Sequence, residues 1–282
     1  MPRLRFVCFC LLVLPLAVIG STPASADSPP QPSIYLAMGD SVAFGVGAQP
    51  RTTEGYVPEL YDQLTAARDC GDGEALGCRL DLVNLAEVGA TTSSLLTKGG
   101  QLDKAVTLLE ERNGNSTPVD DVDLITIDIG GNDLNFRELL KVCVPDTADP
   151  ACVLAIQTAL TQVATNYPII LSALRQAAGP DTTIAVMTYY NPLPACDLKD
   201  FAGFADLVLE GGGPVRVGLN DIIRSAAAAS GAVVAETAPV IDVEDLVGGT
   251  DCLHPDNSGH DDIADAFAAV IDIPEVTGPP AS

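Results

Sequence analysis

Tyr35-Leu36-Ala37-Met38-Gly39-Asp40-Ser41-Val42-Ala43-Phe44-Gly45 is the stretch on which the reading of this chain turns. An apolar run without polar alternation reads as a strand buried on both faces, and this one stops abruptly at glycine, acid and serine. A serine just past a strand is by itself only a turn or helix-cap residue, because its hydroxyl can accept from an unpartnered backbone N–H. It becomes a nucleophile only if the chain also supplies a base, an acid to orient that base, and donors for an oxyanion.

Outward from this run, further apolar segments recur between helical patterns. Strands are expected at 34–38, 80–85, 124–129, 183–189 and 232–235. Helical periodicity fills the intervals, at 56–67, 102–111, 153–178, 219–228 and 263–271. Strand alternating with helix, in a domain of about 240 residues, predicts an α/β fold with a parallel sheet covered on both faces. In such a sheet reactive groups belong at the carboxyl ends of the strands. That rule selects Gly39-Asp40-Ser41, Ala86-Glu87-Val88-Gly89, Gly130-Gly131-Asn132-Asp133 and Tyr190-Asn191-Pro192. Neither a phosphate loop nor a dinucleotide fingerprint is present around Gly39 to Gly47. Ala43 stands where the nucleophile elbow of an ordinary α/β-hydrolase needs its second glycine.

The chain opens with Arg3 and Arg5, an apolar run from Phe6 to Ile19, and the small residues Ala24-Ser25-Ala26. That layout is a secretory signal peptide at 1–26, too short to span a bilayer comfortably, followed by a Pro/Ser-rich leader at 27–33. A catalytic domain at 34–272 and a tail at 273–282 complete the expected organisation. Cys8 and Cys10 lie inside the apolar run, which argues against a lipid anchor. The expectation is an extracellular, monomeric protein with no stable membrane insertion. Cleavage removes two arginines and takes the formal charge from −24 to −26, which disfavours nucleic acid and anionic membranes at long range.

Six cysteines remain, and an even number in an exported chain reads as disulfides, although six allow 15 pairings. Cys70 and Cys78 bracket one turn-rich segment and Cys143 and Cys152 another, leaving Cys196 with Cys252. A bridge closing so long a loop would contribute about 4 kcal/mol in the loop-entropy account. With no C-x-x-C pair and two histidines, zinc is not expected. The acidic loop from Asp128 lacks the glycine an EF-hand needs at its sixth position.

His254 lies in Asp251-Cys252-Leu253-His254-Pro255-Asp256-Asn257-Ser258, ahead of a helix capped by Asn257 or Ser258. An acid three residues before a histidine in a tight loop can hold imidazole Nδ1–H and leave Nε2 free to take a proton from serine. His260 has no comparable partner nearby in sequence and reads as structural. Asn132, delivered by the strand at 124–129, can point its amide into the crevice, and Gly89 can offer a backbone N–H from the same side.

Four separated motifs, Gly39-Asp40-Ser41, Gly89 in its loop, Gly131-Asn132-Asp133 and Asp251-x-x-His254, resemble in order those of the SGNH hydrolases, also called GDSL esterases and lipases. The resemblance spans about 34–271 and is strongest toward the exported bacterial lipase-like branch. It implies a flavodoxin-like three-layer α/β/α fold with a five-stranded parallel sheet. It further implies Ser41 as nucleophile, His254 as base, Asp251 as orienting acid, and an oxyanion hole from the Ser41 and Gly89 N–H groups and the Asn132 amide. Val42 departs from the leucine of the family's usual motif by a conservative apolar change. The expected activity is hydrolysis of carboxylic, lipid acyl esters through an acyl-enzyme, with no cofactor. A carbohydrate O-deacetylase on the same fold is the alternative, and a non-catalytic secreted binding protein a more distant one.

Overall fold

The computed structural model describes residues 32–68 and 79–271 apart from 145, 196 and 250, with the side chains of 119 and 252 also left out. Five strands, β1 (Ser33–Gly39), β2 (Leu80–Asn84), β3 (Val122–Asp128), β4 (Thr183–Met187) and β5 (Val233–Ala235), form one sheet in the order β2-β1-β3-β4-β5, every pair parallel. This is the flavodoxin-like order, with the topological switch at β1 and β3. All seven residues of β1 are buried and six of seven in β3, which is why these strands read as near-continuous apolar runs.

The helices are α1 (Arg51–Glu54), α2 (Tyr56–Ala67), α3 (Thr92–Leu95), α4 (Gln101–Arg112), α5 (Phe136–Cys143), α6 (Pro150–Ala178), α7 (Ala202–Glu210), α8 (Leu219–Ser230) and α9 (Asn257–Ala268). On one face α2 packs on α9, with the Tyr56 and Phe267 rings stacked 5.3 Å apart. On the other, α4, α6 and α8 lie side by side. Pro168 sits inside α6, where a proline costs about 3 kcal/mol. The helix continues through it because Val163, Tyr167, Ile170, Leu171 and Leu174 are buried on the same face, each large apolar side chain contributing about 1.5–3 kcal/mol. Pro168 itself lies on the solvent side.

The α9 helix starts six residues earlier than its apolar periodicity suggested, because its first turn is polar and is held by a cap. Asp256, not Asn257 or Ser258, caps it, accepting from the Ser258 and Gly259 amides. Short β6 (Leu246–Gly248) and β7 (Asp251–Pro255) pair antiparallel outside the main sheet. Cys143 at the end of α5 and Cys152 in the first turn of α6 are joined by a disulfide. The Cys70–Cys78 and Cys196–Cys252 pairings, the signal segment and the tail lie outside the described residues. Among the described residues no helix is long and apolar enough to cross a membrane, and no group of three or more His, Cys, Asp or Glu side chains is placed to hold a metal.

Candidate active site

Ser41 follows the carboxyl end of β1, and His254 and Asp251 lie on β7 in the irregular hairpin that leads into α9. Although 213 residues apart in sequence, Ser41 Oγ and His254 Nε2 are 2.8 Å apart. His254 Nδ1 is 2.9 Å from both Asp251 carboxylate oxygens. A carboxylate only accepts, so Nδ1 carries the proton and Nε2 is the acceptor for the serine hydroxyl. Asp251 Oδ1 also receives the Leu253 and His254 backbone amides at 3.1 and 3.2 Å. Burial acts to raise the Asp251 pKa, but these donors, the His254 ring first among them, hold it below the usual carboxylate value. Asp251 is therefore ionised at neutral pH.

Beneath the serine lie two carboxyl groups that the sequence reading did not single out as a pair. Asp40 and Asp128 are 2% and 0% exposed. Asp40 Oδ1 accepts from the Val42 amide at 3.0 Å and Asp40 Oδ2 from the Tyr189 hydroxyl at 2.7 Å. Asp128 Oδ2 accepts from the Ala43 amide at 3.1 Å, and Asp128 Oδ1 from the Tyr56 hydroxyl at 2.9 Å. Burial raises both acids, Asp128 well above the ordinary range, and their mutual contact adds to the rise at Asp128. Two buried carboxyl groups in contact oppose each other's ionisation, and the rise is the stronger at Asp128.

The backbone around the serine is almost fully engaged. The amides of residues 40, 42, 43, 44, 45 and 46 all have partners, and the Ser41 amide alone in that run has none among the described residues. On the facing loop the Asn132 side chain donates one N–H to Ala90 O at 3.0 Å, which fixes the amide and leaves its second N–H. Asp133 braces that arrangement by accepting from the Thr92 hydroxyl at 2.6 Å and the Thr92 amide at 2.8 Å.

A model of the GDSL-like lipase/acylhydrolase family matches residues 37–261, about four-fifths of the chain, and the matched span includes all three residues of the Ser41, His254 and Asp251 cluster. The chain belongs to that family. A curated relative, Lipase 1 of Streptomyces coelicolor, is 26% identical over 275 residues, covering 91% of this chain and 90% of its own. Phospholipase A1 from Streptomyces albidoflavus NA297 superposes with a TM-score of 0.54 at 22% identity, over 84% of this chain and 99% of its own. A mutant acetyl-xylooligosaccharide esterase from Geobacillus stearothermophilus gives 0.52 at 16% identity, over 85% and 94%. Within the GDSL-like family the chain is a carboxylic ester hydrolase, and its fold is that of the SGNH hydrolases.

In this GDSL-like hydrolase a cavity of about 730 Å³ opens beside Ser41, His254 and Asn132. Its lining is largely apolar, with Phe136 and Leu140 of α5 and Leu193, Leu198, Leu209 and Leu253, and Asn135 and Arg137 are polar members of it. Gly89, expected to complete the oxyanion hole, does not line this cavity and sits on an exposed turn at φ +78°. His260 is fully buried and away from the chemistry: Nδ1 accepts from the Tyr56 amide at 3.2 Å and Nε2–H donates to Val46 O at 3.0 Å.

Three contributors escaped the sequence reading: Gln101, Asp128 and Tyr189. Gln101 grips Gly39 on both backbone atoms, at 2.9 and 2.7 Å. Asp128 left one signal, an acid closing an otherwise apolar strand. Tyr189 left another, its position at the carboxyl end of β4, but nothing local ties it to Asp40.

Proposed function

We propose that the protein is a secreted serine esterase or lipase that hydrolyses esters of apolar acyl chains through an acyl-enzyme. The observation that carries this reading is the contact of Ser41 Oγ with His254 Nε2, whose other nitrogen is held by both Asp251 oxygens, at the mouth of an apolar cavity. As Ser41 attacks the ester carbonyl, His254 takes the hydroxyl proton and ionised Asp251 stabilises the imidazolium that forms. The oxyanion receives the Ser41 amide and the second Asn132 N–H, one such donor being worth about 3 kcal/mol of barrier. Gly89, at the adjoining turn, is proposed as the third donor, reached once substrate is bound. His254 then protonates the leaving alcohol, and a water repeats the sequence on the acyl-enzyme.

A carbohydrate O-deacetylase would use the same triad, and the acetyl-xylooligosaccharide esterase shares the fold. The lining supports the acyl reading, because six leucine and phenylalanine side chains in it would be covered by an acyl chain, with Asn135 and Arg137 polar members of the same lining. Export is proposed from the segment at 1–26, and N-terminal sequencing of protein from culture medium should begin at Asp27. Ser41→Ala should abolish turnover of p-nitrophenyl butyrate and labelling by a fluorophosphonate, with thermal unfolding unchanged. An undiminished rate in that variant would sink the mechanism. In a panel of p-nitrophenyl esters and acetylated xylose, the parent should prefer acyl chains of six carbons or more over acetyl groups, and the reverse preference would select the deacetylase.

A further inference from the structure

Tyr189 belongs neither to the Ser41, His254 and Asp251 cluster nor to the proposed donors, yet it touches the support of both donors that line the cavity. Its hydroxyl donates to Asp40 Oδ2 at 2.7 Å, and the other oxygen of Asp40 holds the Val42 amide at 3.0 Å. Its ring lies against the Gly131 backbone so closely that a Cβ added there would come within 2.7 Å of Cε1. The residue is itself clamped: Asn220 accepts from the Tyr189 amide at 2.7 Å and donates to the Tyr189 carbonyl at 2.8 Å. Asn220 also donates to Glu210 at 2.6 Å, and Glu210 accepts from Arg224 at 3.0 Å. A hydrogen-bonded line therefore runs from α8 through Tyr189 and Asp40 to the Val42 N–H, in the peptide unit that follows Ser41.

We propose that Tyr189, acting through Asp40, is a positioning residue that aims the Ser41 amide at the developing oxyanion and, through its ring on Gly131, fixes the spacing from that amide to Asn132. The inference rests on the triad reading above. With Asp40 held on one side by Tyr189, its free oxygen captures Val42 N–H, and Asp128 captures Ala43 N–H. With the amides of residues 40, 42 and 43 on those carboxyl groups and those of 44 to 46 on backbone carbonyls, the Ser41 amide is the one in the turn without a partner among the described residues, and so the one left for a developing oxyanion. Were Asp40 free to rotate, the Ser41 and Val42 amides would compete for it. Donor alignment is felt in the transition state far more than in the ground state, so the effect falls on kcat and not on KM.

Tyr189→Phe keeps the ring on Gly131 and the cavity wall while removing the hydroxyl. With p-nitrophenyl butyrate the variant should lose about ten-fold in kcat, a fraction of the 10²–10³ that deletion of a whole donor costs, with KM within about two-fold. The Ki of phenylboronic acid, which forms a tetrahedral adduct on the serine, should rise by the same factor as kcat falls, a correlation that a merely structural role would not produce. Asp40→Asn keeps an oxygen for Val42 N–H, and in that background the further cost of Tyr189→Phe should shrink to less than about two-fold. Equal kcat and Ki in Tyr189→Phe and the parent would overturn the proposal. So would a kcat loss with Ki unchanged, or a full ten-fold cost persisting in the Asp40→Asn background. Should Tyr189→Phe not fold, Asp40→Asn alone carries the test, with kcat and Ki expected to shift together and unchanged values counting against the brace. A Tyr189→Phe enzyme as fast as the parent, while Ser41→Ala stays inactive, refutes the brace alone; an active Ser41→Ala refutes the triad.

Discussion

Acid should unfold this protein partly through a histidine that takes no part in catalysis. His260 is fully buried, accepts a backbone N–H at Nδ1 and donates from Nε2, so it is neutral in the folded chain. Burial pushes its pKa down to about 4; the Val46 carbonyl bond opposes the shift only in part. In the unfolded chain it titrates near its ordinary value of about 6.5, so below that pH the unfolded state binds a proton that the folded state refuses. The contribution is complete above pH 6.5, is lost as pH falls toward 4, and amounts to about 3 kcal/mol over that window at 1.36 kcal/mol per pKa unit. The buried Asp40 and Asp128 carboxyls act with the opposite sign, their raised values favouring the folded state in acid, so the parent curve alone does not isolate the histidine. A difference does. His260→Gln can still donate toward Val46 O but leaves the Tyr56 amide without its acceptor, a roughly constant cost of about 1–3 kcal/mol. Urea unfolding at pH 7, 6, 5 and 4.5 should show the variant less stable at pH 7. The gap should then close by about 1.4 kcal/mol per pH unit, until the two curves meet or cross near pH 4.5. A gap that stays constant across this range would show that His260 is not held neutral by the fold.

Two further outcomes follow from other parts of the site. Asp251→Asn removes the charge that fixes the His254 tautomer while keeping the side-chain shape; kcat should fall by about 10³-fold with KM little changed, and a loss under ten-fold would contradict the orienting role. Replacing Cys143 and Cys152 together by serine opens a loop of nine-residue separation and should lower unfolding stability by about 2–3 kcal/mol; a change below about 0.5 kcal/mol in urea titration would count against a stabilising bridge.

What the sequence made legible follows from how far apart the cooperating residues stand. The central strands β1, β3 and β4 showed themselves because parallel strands covered on both faces are local apolar runs, while the edge strands β2 and β5 are only partly buried. The motifs around Ser41, Asn132 and His254 pointed to residues that the fold brings to one cavity. Elements carried by few residues escaped. The β6 and β7 hairpin has three and five residues of mixed polarity, too few for a period, and α5 is eight residues entered through an exposed turn. The polar first turn of α9 hid its start behind a cap. The support beneath Ser41 is non-local throughout: Gln101 reaches Gly39 across 62 positions, Asp128 reaches Ala43 across 85, and Tyr189 reaches Asp40 across 149. No spacing rule relates such residues; only the sheet register does.

That register explains the glycine with which the opening stretch ends its strand. Gly39 of β1 stands opposite Asp128 of β3, and a Cβ at Gly39 would lie 2.0 Å from Asp128 Oδ1 and 2.5 Å from its carbonyl oxygen, at a φ of +148° that other residues rarely adopt. Glycine at 39 is thus the clearance that lets the acid of the neighbouring strand pass under the turn and hold the amides of Asp40 and Ala43. On its other side Gly39 is gripped by the side chain of Gln101 on both backbone atoms, and its carbonyl also accepts from the Glu87 amide just past β2. Register between β1 and β3 is set by apolar packing far from any substrate, yet a slip of one residue would move Asp128 out from under the turn and leave the Ala43 amide without its acceptor. The pairing of two buried strands, chosen by the core, thereby decides which backbone N–H groups of the turn are taken by carboxylates and which is not.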